Sequence, residues 1–180
     1  ELDVRIGKAS VTFGRLTSRV WNDKLLTLNT KVSIYQACVL STLLYGCESW
    51  VTYSKQERRL NSFHLRCFRK ILGVTWDQRI TNNKILERTG LQSMQTNLDV
   101  RRLRWLGHVE RMPQARLPKA VLYGQLKNRP RRRGRPKLRY SDKVKQGLKK
   151  FSIPTDNWEN PAHNCSVWRS RVKAGAVTAE

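Results

Sequence analysis

Residues 54–73, SKQERRLNSFHLRCFRKILG, hold a whole helix from start signal to stop signal, and the fold class is decided there. Ser54 and Glu57 have the Ser-x-x-Glu spacing of a capping box, in which the hydroxyl accepts from the helix's first free N–H groups and the carboxylate reaches back. Leu60, Phe63, Cys67 and Ile71 then recur at intervals of three and four, with Leu72 beside the last, which lays an apolar stripe along one face. Gly73 supplies the stop, because a residue without Cβ enters the left-handed conformation that ends a helix at little cost.

The same period extends in both directions. Leu2, Ile6, Ala9, Phe13, Leu16 and Val20 mark a first amphipathic helix that should end near Trp21-Asn22-Asp23. A second is expected from about Asn29, carrying Val32, Tyr35, Ala37, Cys38, Leu43, Leu44 and Cys47; apolar on several sides, it should be the central helix of a bundle. Downstream, a short helix is expected from Thr81 to Gly90. Another should start near Ser93 with Met94, Leu98, Trp105 and Val109 inward, and end before Pro113. No stretch alternates cleanly at period two. The expected class is all-α, a helical bundle over 1–112 followed by a basic loop and small C-terminal helices.

Composition changes after Pro113. Lys127 to Arg139 contains eight basic residues in thirteen, with two prolines and one glycine. Proline removes backbone donors and like charges repel, so a basic linker is expected over 113–140 and a small helical region over 141–180. In that last region Ser141 should cap a helix through Val144, Leu148 and Phe151. Trp158, Trp168 and Val172 suggest a helical hairpin that frays from Gly175.

The charge sets the partner. The chain has 36 Lys and Arg against 13 Asp and Glu, a net charge of +23. Residues 1–100 carry +7 of it and 101–180 carry +16. An excess this large points to a polyanion, and for a soluble protein that means nucleic acid. The longest apolar run, around Ala37–Leu44, is too short to span a bilayer, so no membrane is expected. No signal peptide is visible. The first residue is Glu1 with the amphipathic pattern already under way, which reads as a piece of a longer protein. Cys38, Cys47, Cys67 and Cys165 have no Cys-x-x-Cys spacing, and three fall in apolar helical patterns. Reduced, buried thiols in an intracellular protein are expected.

Two groups of residues are candidates for phosphate contact. Arg101, Arg104, His108 and Arg111 lie at i, i+3, i+7 and i+10, one helix face opposite the apolar stripe. Such a row is often only a solvated face, but here no carboxylate stands in position to pair with it, which favours phosphate. The second group is Arg129, Arg131, Arg132, Arg133, Gly134, Arg135, Pro136, Lys137 and Arg139. Within it, Arg133-Gly134-Arg135-Pro136 matches the core of an AT-hook, an extended segment whose arginines enter a narrow A·T minor groove. General backbone binding weighs more heavily, since four residues recur by chance in basic linkers.

Other patterns read as structure. His64 with Cys67 fits core packing better than a metal pair, and His163-Asn164-Cys165 lacks the paired spacing of a zinc site. The six tryptophans read as core and helix-junction anchors, none assigned to stacking on bases. Catalysis on two metals needs clustered carboxylates, and Asp3, Asp23, Asp77, Asp99, Asp142 and Asp156 are each isolated. There is no Tyr-x-Asp-Asp and no P-loop. The chain as it stands is expected not to be an enzyme, with no catalytic residue, no metal ligand and no cofactor of its own.

At Tyr45-Gly46-Cys47-Glu48-Ser49-Trp50 the chain resembles the segment of LINE-type, non-LTR retrotransposon polyproteins that lies C-terminal to the reverse-transcriptase palm, in the RTE/CR1/Jockey-like group. The likeness continues through Arg66-Cys67-Phe68-Arg69-Lys70-Ile71-Leu72-Gly73, Asp77-Gln78-Arg79-Ile80-Thr81-Asn82, Leu103-Arg104-Trp105-Leu106-Gly107-His108-Val109, Arg111-Met112 and Gly134-Arg135-Pro136. Upstream, Phe13-Gly14-Arg15-Leu16 and Val20-Trp21 also fit. The resemblance implies a helical thumb and its extension over 1–112, gripping template–primer, and a basic C-terminal region touching RNA or target DNA. It implies an RNA-directed DNA polymerase with endonuclease as the parent protein, its aspartates and Mg2+ in a polymerase domain upstream of residue 1. The family's occasional Cys/His zinc knuckle has no matching spacing here. Expected partners are therefore RNA, DNA or their hybrid, and the upstream polymerase domain; the expected compartment is the nucleus. Two alternatives stay open at this point: a domesticated DNA-binding protein that works through the hook-like loop, and a partial reading frame whose product has no selected function.

Overall fold

The computed structural model describes residues 1–124, 134 and 137–179. The chain is all-α: among the described residues there are ten α-helices, with short π and 3-10 segments and no strand. No helix among them is long and apolar enough to cross a membrane.

Contacts gather the chain into two units. The first comprises Glu1–Gly46 and Thr52–Gln95; the second comprises Cys47–Val51 and the chain from Thr96 on. Composition had placed its break at Pro113. Contacts group the chain differently because Leu103 and Leu106 are buried in one core with Val144, Leu148 and Trp168.

In the first unit, α1 (Leu2–Arg15) ends in a π-helical turn, Thr17–Trp21. Trp21 closes the turn by stacking on Phe13, ring centroids 5.0 Å apart, and by donating from Nε1 to the Phe13 carbonyl at 2.8 Å. The next helix starts as α2 (Leu28–Ile34), where the Thr27 hydroxyl accepts from Thr30 N–H. It runs on through a π-helical stretch, Tyr35–Leu40, into α3 (Ser41–Leu43). Widening the repeat to i→i+5 turns the face on which later residues emerge. Val32, Tyr35, Val39, Leu40 and Leu43 point inward, whereas Ala37 and Cys38 are exposed. The expectation that Cys38 is buried is thereby corrected.

The helix at 54–73 is α4 (Ser54–Leu72), closed by Gly73 at φ +64°. Its cap differs from the expected Ser54–Glu57 box. Tyr53 occupies the cap position and its N–H donates to Gln56 Oε1 at 2.8 Å, while Glu57 Oε1 accepts from the Thr52 hydroxyl at 2.7 Å. Once Thr52 holds Glu57 from outside the helix, the reciprocal bond falls to the residue before it. Leu60, Phe63, Leu65, Cys67, Phe68 and Ile71 are buried, and α5 (Asn82–Thr89) packs beside them.

His64 is buried among them with no exposed surface. Its Nδ1 lies 2.8 Å from the Tyr35 hydroxyl, and its ring meets Phe68 edge-on at 4.2 Å. Burial pushes the imidazole down to about 4, against a smaller upward pull from the Gln92 backbone. Burial also pushes the Cys67 thiol up to about 12, which leaves it protonated and inert.

In the second unit, α6 (Met94–Glu110) is the spine from Thr96 on, joined by α7 (Leu117–Tyr123), α8 (Tyr140–Lys150), α9 (Glu159–His163) and α10 (Cys165–Thr178). The start of α8 is bound by the Arg139 N–H donating to Asp142 Oδ2 at 2.9 Å, so Asp142 rather than Ser141 provides the cap. The Trp158, Trp168 and Val172 hairpin forms as expected, all three side chains buried. Fraying from Gly175 does not occur. Gly175 and Ala176 are buried, and a Cβ on Gly175 would lie 2.6 Å from Phe151 Cβ, so the last turns of α10 are seated against Phe151.

Candidate nucleic-acid interface

The site grows out of α6. Its apolar residues Leu103, Leu106 and Val109 turn into the second unit's core, which leaves Arg101, Arg104 and His108 along the opposite side. Gly107 lets α10 come close: a Cβ there would stand 2.3 Å from Trp168 Cδ1. Trp168 fixes that approach by donating from Nε1 to the Leu103 carbonyl at 2.8 Å. The side chains of α6 and α10 then enclose an open groove of about 630 Å3.

Arg101, Arg104, His108 and Arg111 all line this groove, so the structure brings the first predicted set together. Arg111 is held in place, donating from Nη1 to the Ala162 carbonyl at 2.6 Å. Arg169, 58 residues beyond Arg111 in the sequence, enters from α10 and adds a cation that only the fold brings to the α6 row. Trp105 supplies an aromatic wall, its ring 5.3 Å from that of His108. Glu48 places one carboxylate at the rim. Among the described residues no ion pair engages Arg101, Arg104 or Arg169.

Two acids close by in sequence are otherwise engaged. Asp99 is buried and pairs with Arg102 Nη1 at 2.8 Å, with Lys150 Nζ at 3.8 Å. Arg102, fully buried, also donates to the Trp50 carbonyl at 3.4 Å. Glu110 turns to α7, where Lys119 Nζ is 3.3 Å from Oε1 and the Tyr123 hydroxyl donates to Oε2 at 2.5 Å. Burial, then Glu110, raises the Tyr123 phenol above its ordinary range. The groove therefore keeps its positive field, because the acids on its own helix are spent inward.

Of the second predicted set, Gly134, Lys137 and Arg139 are exposed. Arg129, Arg131, Arg132, Arg133, Arg135 and Pro136 lie outside the described residues, and so does the hook-like core but for Gly134. Asn164 caps α10, its Oδ1 accepting from Ser166 and Val167 N–H at 3.0 and 3.3 Å, which gives the His163-Asn164-Cys165 triplet a structural role. No group of three or more His, Cys, Asp or Glu side chains suited to a metal ion occurs among the described residues.

Sequence reasoning missed Arg169 and Trp105 as groove residues. It also missed a second cationic cleft in the first unit, lined by Lys55, Arg58, Arg59 and Arg66 beside Ile6 and Phe63. The signal was present: Lys55, Arg59 and Arg66 stand at i, i+4 and i+11 on α4. Asp3 takes part of that charge through an ion pair with Arg59.

Comparison with known proteins adds one relative. The chain is similar to a transposon-derived protein. That protein, from Caenorhabditis elegans and uncharacterized, is 25% identical over 137 residues, covering 73% of this chain and 48% of its own length. The chain thus spans about half of the curated relative it matches. No family model matches, and no solved structure does.

Proposed function

We propose that the chain is a non-catalytic, nucleic-acid-holding region of a retrotransposon's RNA-directed DNA polymerase, the thumb and post-thumb helices that follow its palm. The groove on α6 and α10 is the observation that carries this reading: four arginines and a histidine converge there with a single rim acid. An arginine-lined surface with a net charge of +23 behind it favours phosphate through counterion release and forked hydrogen bonds. The transposon-derived relative supports the element of origin, and the Leu-Leu-Tyr-Gly-Cys-Glu series supports the polymerase assignment. Bond formation, with its Mg2+, would belong to the upstream domain, and work on chromosomal DNA would place the protein in the nucleus. The basic segment ending at Lys137 and Arg139 would add contacts to RNA or target DNA.

Salt titration tests the reading. For the unaltered chain, log affinity for a duplex or hybrid should fall linearly with log salt, at about 0.9 per phosphate neutralised on B-DNA. Reversing Arg101 and Arg104 to Glu should flatten that slope by roughly two contacts. A slope that does not change removes the groove from the reading. A chain that ignores oligonucleotides in dilute buffer removes the reading itself.

A further inference from the structure

We propose that the α6–α10 groove takes an unpaired nucleobase, with Trp105 as its stacking wall, so that the site is built for single-stranded nucleic acid. The inference rests on the nucleic-acid reading above and narrows its ligand. A row of arginines alone would serve any phosphate backbone. This groove has more: a half-buried indole inside the cationic ring, with His108 set against it at 5.3 Å and 44°.

Two other tryptophans of the unit are taken up by packing. Trp168 is buried and bonded to the Leu103 carbonyl, and Trp158 is buried beside it at 6.1 Å. The Trp105 indole N–H has no hydrogen-bond partner among the described residues. Trp105 lines both the cationic groove and a second cleft with Leu106, Val109, Leu117 and Val121. An aromatic face backed by apolar side chains and fronted by guanidinium groups is the arrangement on which unpaired bases stack while their phosphates are neutralised. The groove's volume, about 630 Å3, falls within the ~300–1,000 Å3 of clefts that enclose small organic groups. A base inside a duplex is stacked on both faces and offers only its edges, so it cannot use such a wall.

The test uses the whole 180-residue chain. Fluorescence anisotropy compares a 12-nucleotide oligothymidylate with an abasic phosphodiester oligomer of equal length and charge. Stacking predicts at least fivefold tighter binding to the oligothymidylate. Trp105→Leu should bring the two affinities together while duplex binding changes less than twofold, and Trp105→Phe should restore the preference. A 2-aminopurine placed in the oligonucleotide should lose fluorescence on binding the unaltered chain, a readout that holds even if the leucine variant fails to fold. Equal affinity for the two oligomers, with 2-aminopurine unquenched, overturns the inference and leaves the phosphate reading standing. Binding to neither oligomer nor duplex overturns both.

Discussion

At His64 a polar ring has been enclosed where water cannot reach it, and the consequence is a dependence on pH. Tyr35 Oη is well placed to donate to Nδ1 of the neutral ring at 2.8 Å. Protonation would put a hydrogen on Nδ1 and oblige the hydroxyl to accept instead. Above about pH 6.5 the imidazole is neutral both folded and unfolded and adds no pH dependence. Between about 6.5 and about 4 the unfolded chain binds a proton that the folded chain refuses, so stability declines as the pH is lowered. The decline should total roughly 3 kcal/mol and level off below about 4. Urea midpoints at pH 7.5 and 5.0 should show a smaller decline for His64→Asn than for the unaltered chain; equal declines would refute the account. Gly107 makes a second prediction at this scale. Trp168 is pinned by its bond to Leu103, so the methyl of Gly107→Ala has nowhere to go, and a loss of about 1–3 kcal/mol is expected in thermal unfolding.

Among the elements, α6 bears the sharpest contrast between what sequence patterns reveal and what they hide. Its apolar period placed Met94, Leu98, Trp105 and Val109 inward; three are buried, but Trp105 is only half-buried and faces the groove, whereas the Arg101, Arg104, His108, Arg111 row could be read directly from its spacing. Arg102 could not. By period it is one more arginine in a basic helix, yet it is fully buried, because Asp99 and the Trp50 carbonyl receive it. Asp99 lies one turn away on the same helix, but the Trp50 carbonyl comes from a distant loop that no local window contains. The same limit hid Arg169, delivered by α10, and Cys38, whose outward turn follows from a π-helical stretch without a distinctive sequence signal. Helix ends at Gly73 and Gly90 were legible since the left-handed stop is a local requirement. The buried pair is itself testable. Asp99→Ala strands a guanidinium away from water and should cost about 3–5 kcal/mol, whereas Asp99→Ala with Arg102→Met should recover most of it. A double variant no more stable than the single would show that packing, not charge, holds the site.

For the molecule as a whole, a charge of +23 is a standing repulsion that folding must overcome. Salt shortens the reach of that repulsion to about 8 Å at physiological strength. The thermal midpoint should accordingly rise between 20 and about 500 mM sodium chloride, by several degrees. A midpoint that falls would mean that exposed ion pairs such as Glu1–Arg5 and Asp3–Arg59 outweigh the net repulsion. All-helical architecture could be read from periodicity alone. The two-unit division could not, because the partner that covers the apolar face of α6 begins some forty residues later, at Val144.

The four cysteines end up divided by accessibility: Cys47 and Cys67 are enclosed, Cys38 and Cys165 open. Cys165 borders the cationic groove, while Cys38 belongs to the other unit. Nature has thus left the protein with a built-in reporter and its own internal control. Alkylation by iodoacetamide, followed by mass spectrometry, should slow at Cys165 when an oligonucleotide occupies the groove and proceed unchanged at Cys38.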